Sequence, residues 1–262
     1  MITSLRANEI DVGIGLTEGW VAGLAQPPQQ KSGTQAQRSG GYKIVGTYVE
    51  TPLCWAISTG AKRVDITDVG ELKGKKIGVS RVGSGSYVMG FVLADSRAWL
   101  KAAGDAPFSV IPLQTFAKLR EAVNGGTADF FMWEHFTSKR YYDNGEIKKI
   151  GEMYTPWSSW KIVAREEVLE ERKEELEEMF EKLDFGVSYF EGHQEEAVEY
   201  ISTELDYSAE DARKWLKTVR FAKGVKGVMG ETIRMTVDAL KKAGVVEGEV
   251  RVEDMIGIRR DS

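Results

Sequence analysis

Several short segments of this chain carry residues able to hold or transform a small molecule. In Lys75-Lys-Ile-Gly-Val-Ser80-Arg-Val-Gly-Ser84-Gly85-Ser86-Tyr-Val-Met89 an apolar strand pattern runs into a Ser/Gly loop that opens a helix. Free N–H groups at a helix start, small residues that allow close approach, and serine hydroxyls together make an anion pocket, with Ser80, Ser84, Gly85 and Ser86 as candidate contacts. The loop has neither the Gly-Lys-Ser/Thr of a P-loop nor a third glycine in dinucleotide register, so a nucleotide site is not expected. The same residues equally suit a capped strand-to-helix turn. A second apolar strand pattern ends abruptly in Trp133-Glu134-His135. Trp133 could stack on a planar ligand, and Glu134 with His135 could bond it or act as an acid–base pair. The alternative for Glu134 is a carboxylate capping the following helix. Thr17-Glu18-Gly-Trp20, Glu50-Thr51-Pro52-Leu-Cys54-Trp55 and Thr155-Pro-Trp157-Ser-Ser-Trp160 also fall at strand ends. Recurrence of Thr, Glu and Trp there favours one shared polar and aromatic cleft, although each segment alone could be packing.

Composition bounds these readings. The chain has 262 residues and a net charge of −5, against the basic footprint of a nucleic-acid binder, so no nucleic-acid partner is expected. Its single cysteine permits neither an intrachain disulfide nor a cysteine-only zinc site, and its two histidines leave little room for a histidine metal cluster. No metal or cofactor is therefore expected. No apolar run approaches a membrane span, and the first residues read as neither a basic nor an apolar leader, so a cytoplasmic location is expected.

The elements that must position these residues follow from periodicity. Strands are expected at 11–16, 42–58, 76–80, 109–113, 128–133, 147–154 and 160–164, with Pro52 forcing a bend or crossover within the long second run. Helices are expected at 84–103 before a Gly104 cap, and at 116–123 behind Thr115 and before Gly125-Gly126. Residues 27–41 read as a flexible surface loop. A charged run at 165–182 and later stretches after Ser208 and between Gly230 and Gly244 read as amphipathic helices, with Trp215 on a core face. The alternation argues for α/β layering with a largely parallel sheet.

Asp11-Val-Gly-Ile-Gly-Leu-Thr-Glu18, Leu72-Lys-Gly-Lys-Lys-Ile-Gly-Val-Ser80 and Val123-Asn-Gly-Gly-Thr-Ala-Asp129 resemble segments of type 2 periplasmic-binding-protein-like folds. The resemblance is to the group that includes alkanesulfonate-, taurine- and nitrate-binding components and the thiamine-pyrimidine synthases. The Ser80–Met89 block, Phe131-Met-Trp-Glu-His-Phe-Thr-Ser-Lys139 and the Thr-Pro-Trp-Ser-Ser-Trp block are similar to a fungal, signal-less branch. This resemblance implies two α/β lobes joined by crossovers near 46–52 and 153–160: lobe one from 1–51 plus 157–262, with a helical C-terminal part, and lobe two from 52–156. It places Thr17, Glu18, Thr51, Ser84, Gly85, Ser86, Trp133, Glu134 and Trp157 around a cleft for a small anionic or heteroaromatic ligand. Against the family pattern the chain lacks a first strand-helix-strand unit, and the expectation is a truncated or unusually completed lobe one. It also lacks the cysteine-rich iron motif of the synthases. The reading is thus a ligand-binding protein, with an enzyme of cofactor-precursor metabolism using Glu134 and His135, or a ligand-sensing interaction protein, as alternatives. The oligomeric state is left open.

Overall fold

A computed structural model describes residues 1–25, 40–100 and 106–260. It contains β1 (Val12–Leu16), β2 (Tyr42–Val49), β3 (Cys54–Gly60), β4 (Lys76–Val79), β5 (Ser109–Pro112), β6 (Phe130–Glu134), β7 (Ile147–Tyr154) and β8 (Trp160–Arg165). The helices are α1 (Ile2–Arg6), α2 (Thr17–Ala25), α3 (Gly85–Ser96), α4 (Phe116–Gly125), α5 (His135–Asp143), α6 (Glu166–Glu171), α7 (Lys173–Gly192), α8 (Gln194–Glu204), α9 (Ala209–Leu216) and α10 (Gly230–Lys242). Most of the loop expected at 27–41, and the Gly104 cap, lie outside the described residues.

The strands form two sheets, one in the order β1-β8-β2 and one in the order β5-β4-β6-β3-β7. The expectation of a largely parallel sheet is corrected. Among the pairings of these eight strands, β4 with β5 and β4 with β6 are parallel and the others are antiparallel. The cause is the route of the chain. The units β4-α3-β5 and β5-α4-β6 keep their strands parallel, as helical crossovers do. Strand β3 arrives from the first sheet and slots between β6 and β7, and β8 returns from the second and slots between β1 and β2. Each runs against its neighbours.

The long extended run at 42–58 divides at Pro52 into β2 and β3, in different sheets. Residues 50–53 carry the chain out and residues 155–159 carry it back. These crossovers are bonded to each other: Leu53 N–H donates to Thr155 Oγ1 at 3.0 Å, and Thr155 N–H to the Leu53 carbonyl at 3.1 Å. The Ser159 hydroxyl donates to the Thr51 carbonyl at 2.8 Å. The two threonines that precede the prolines therefore stitch one hinge.

Local chemistry sets the helix ends. Ser84 caps α3 through Tyr87 N–H, Thr115 caps α4 through Lys118 N–H, and Ser208 caps α9 through Asp211 N–H. Gly126, at φ 77°, closes α4 in the left-handed region. α3 stops at Ser96, short of the expected 103; Ala98 at φ 53° turns the chain out, and Trp99 then packs edge-on against Phe108.

One buried cluster runs from Leu5, Trp20 and Tyr42 through Trp55, Ile77 and Val88 to Ile233, Val237 and Leu240, so the core passes from one sheet to the other. A second packs Val45, Ile162 and Ala164 against Val168, Leu176, Phe180 and Val187 of α6 and α7. The charged run is thus the solvated face of helices whose apolar stripe covers the first sheet. At Gly46 a Cβ would stand 2.4 Å from the Val225 carbonyl oxygen. Gly46→Ala should therefore cost about 1–3 kcal/mol, read as a lowered urea midpoint with an unchanged slope. Among the described residues no helix is long and apolar enough to cross a membrane.

Candidate functional site: a cleft beside the hinge

A cavity of about 780 Å³ opens between the two sheets against the crossovers. One wall is Ser80, Arg81, Ser84, Gly85 and Ser86, where β4 turns into α3. Ser84 and Ser86 are buried, with their hydroxyls 3.0 Å apart, and Ser86 Oγ accepts the Ser80 N–H at 3.3 Å. The exposed Arg81 guanidinium makes no hydrogen bond or ion pair with the described residues. This corner offers hydroxyls, a helix N-terminus and a free cation to an anion.

Aromatic rings form the facing walls. Trp133 lies on Phe116 with centroids 5.0 Å apart and planes 14° apart, which fixes its ring at the cleft wall. Trp55 lines the cleft while its indole N–H, buried, has no hydrogen-bond partner. Trp160, Tyr207 and Trp215 complete the surround, the last two from the C-terminal helical region. Trp215, expected on a core face, is half-buried: it packs against the cluster of Val198, Ile201 and Ala212 and edge-on to Phe190, and its remaining surface lines the cleft. Contacts also tie α5 to the segment between α8 and α9. Thr137 and Tyr207 hydroxyls stand 3.3 Å apart, and Arg140 of α5 pairs with Asp206.

Of the residues expected from sequence, Thr51, Ser84, Gly85, Ser86, Trp133 and Glu134 line this cavity together. Thr17, Glu18 and Trp157 lie behind its wall. The Thr17 hydroxyl donates to the Ser158 carbonyl at 2.6 Å, tying α2 to the returning crossover. Trp157 is buried and donates its indole N–H to Glu18 Oε2 at 3.1 Å. Glu18 Oε1 has no partner. A Cβ added to Gly85 would meet that oxygen at 2.7 Å and Trp55 Cη2 at 2.9 Å, so only glycine lets α2, α3 and Trp55 converge. Burial raises the Glu18 carboxyl to about 7, partly opposed by hydrogen bonds from its own backbone N–H and from Trp157.

Glu134 and His135 do not act on one point. Both Glu134 oxygens accept from the start of α5, from Phe136 N–H at 2.9 Å and from Thr137 N–H at 2.6 Å. Its carboxylate is the helix cap. His135 faces away from the cleft, toward Lys149 and Glu152. Burial and the Lys149 ammonium lower its pKa, so it is neutral at pH 7.

Arg81, Tyr207 and Trp215 are lining residues that pattern reading did not select. Arg81 stands inside the Ser/Gly loop, and a cation there was the available signal. Tyr207 had none, because its place depends on how α8 and α9 fold back over the crossovers.

A second cavity of about 710 Å³ lies on the other side of Leu16, Arg81, Gly85 and Trp160, against α1, α2 and Val245.

Residues 55–153 match the family model described as Ca3427-like PBP. Among solved structures, the Candida albicans CA3427 gene product, reported to define a family with the generic periplasmic binding protein fold, superposes with a TM-score of 0.83 and 39% identity, covering 100% of this chain and 84% of that one. The alkanesulfonate-binding protein SsuA from Xanthomonas axonopodis pv. citri bound to MOPS gives 0.75 at 14% identity, over 97% of this chain and 83% of that one. The periplasmic aliphatic sulphonate binding protein SsuA from Escherichia coli gives 0.69 at 16% identity, over 98% and 78%. Comparison with curated protein sequences finds no match.

Proposed function

Because the chain belongs to the Ca3427-like family of periplasmic-binding-protein-fold proteins, we propose that it binds a small anionic or planar ligand in the cleft beside the hinge. One observation carries this reading: the Arg81–Ser84–Ser86 corner, with the Trp55 ring packed against Gly85, shares with Trp133 and Trp215 the lining of a cavity of about 780 Å³, which lies within the range of small-molecule sites. An anionic head would sit at the start of α3, and a planar or aliphatic remainder would lie along the rings. Lobe one is then 1–51 with 157–262 and lobe two 52–156, the bonded crossovers acting as the hinge on which they close. Sulfonates enter the ligand panel because two proteins of this fold carry that class in their names.

The test is titration calorimetry with alkanesulfonates, carboxylates and pyrimidines. The expected result is saturable heat from at least one class. Ser86→Ala with Trp133→Ala should weaken that binding at least about tenfold, with the far-ultraviolet circular dichroism unchanged. No heat from any class, or binding indifferent to both changes, counts against the reading. The caps on Glu134 and the outward turn of His135 leave the acid–base alternative without geometry.

A further inference from the structure

We propose that Cys54, His135 and Glu152 form a binding site for a divalent transition metal, with zinc the best match to the donors. The sequence offered no cysteine-only or histidine-only cluster, but the fold assembles a mixed one. Cys54 opens β3 and pairs with Tyr154 of β7, while Ala56 pairs with Glu152, so Cys54 and Glu152 stand on one face of the sheet. α5 packs on that face and begins with His135. One ligand atom from each of the three lies within 4.8 Å of the others.

Thiolate, imidazole and carboxylate are the mixed donor set that zinc accepts. A tetrahedral zinc with bonds of about 2.0–2.3 Å holds its ligand atoms about 3.3–3.6 Å apart. His135 Nδ1 and Glu152 Oε2 are already 3.7 Å apart. The remaining closure falls to Glu152, whose side chain is exposed and free to change rotamer.

The place of a cation is already marked. The Lys149 ammonium stands 2.6 Å from Glu152 Oε2 and 3.5 Å from His135 Nδ1. It occupies the two ligand atoms that a metal would take, and its partly exposed side chain can swing to solvent. The Cys54 thiol is buried, and burial pushes it up to about 11, so it is protonated at pH 7. Binding therefore forms one metal–sulfur bond and releases the thiol proton to water, with no change of oxidation state. The imidazole, neutral at pH 7, needs no deprotonation. Three protein ligands leave a fourth position to water. Of the three ligands only Cys54 also lines the ligand cleft, so the metal would sit behind the cleft wall, on the side that His135 faces.

The experiment is competition for zinc between the untagged full chain and a chromophoric chelator, with cobalt as the spectroscopic probe. Expected are equimolar binding and a thiolate-to-cobalt charge-transfer band. Cys54→Ser should abolish the band and, like Glu152→Gln, weaken zinc at least about tenfold. Lys149→Met should tighten zinc severalfold by removing the competing ammonium. If Cys54→Ser does not fold, the exposed Glu152→Gln and Lys149→Met decide the matter. No zinc retained against the chelator, or equimolar binding unchanged in Glu152→Gln and Lys149→Met, overturns the proposal.

Discussion

Glu18→Gln stabilises the protein progressively as the pH rises, and the effect is among the largest any single substitution here should give. In the fold the Glu18 carboxyl titrates at about 7 instead of 4.5, because burial opposes its charge. The folded state therefore holds the proton more tightly than the unfolded chain. The stability from this group is fully present below its ordinary pKa and is lost as the pH rises through 7. Glutamine keeps an acceptor for the Trp157 indole and cannot ionise. The unfolding free energy of Glu18→Gln minus that of the wild type should grow by about 3 kcal/mol between about pH 4 and pH 8. For a chain of this size that corresponds to roughly 6–12 °C in melting temperature. Urea unfolding at both pH values measures it; a difference that stays flat would mean that the carboxyl is hydrated in the folded state.

Lys161→Met acts with the opposite sign of pH dependence. Lys161 lies in the central strand of the first sheet, fully buried, with its ammonium donating to the hydroxyls of Thr47 and Ser158. Burial, together with the charge of Arg260, depresses its pKa to about 7, partly opposed by Glu50. A depressed pKa means that stability is fully present above the ordinary lysine value and lost as the pH falls through 7. The charged lysine should thus cost up to about 5 kcal/mol in acid, and methionine removes that cost while leaving two hydroxyls to find other partners. The advantage of Lys161→Met should be larger at about pH 6 than at about pH 9.5 by about 3–4 kcal/mol. A variant less stable than wild type at both values would show that the hydrogen bonds outweigh desolvation.

These two groups flank the same hinge, which explains why the sequence revealed the cleft only in part. The Ser84-Gly85-Ser86 corner and the Trp133 wall are local devices. A strand running into a small-residue helix start, and an apolar strand ending in an aromatic, can be read from neighbours in the chain. The strand positions were legible for the same reason, since Pro52 and the Thr-Pro pairs mark where extended runs must change direction. Burial of Glu18, Thr17 and Trp157 was not legible. Each sits at a strand end with the residue types of a ligand contact, and only the convergence of α2, α3 and the returning crossover hides them. The direction of the sheet was misjudged because β3 and β8 are inserted from the far sheet, a property of the whole path. Glu134 and His135 are adjacent in sequence yet face opposite sides of the start of α5, as the first residues of a helix do when one caps it.

The most direct measurement is a crystal structure of the protein with the tightest ligand from the calorimetric panel. The ligand is predicted to lie in the cleft of about 780 Å³, its anionic group against Arg81, Ser84 and Ser86 and its remainder on Trp133. Density for the same ligand in the cavity beside α1 and α2, with the hinge-side cleft empty, would contradict the account.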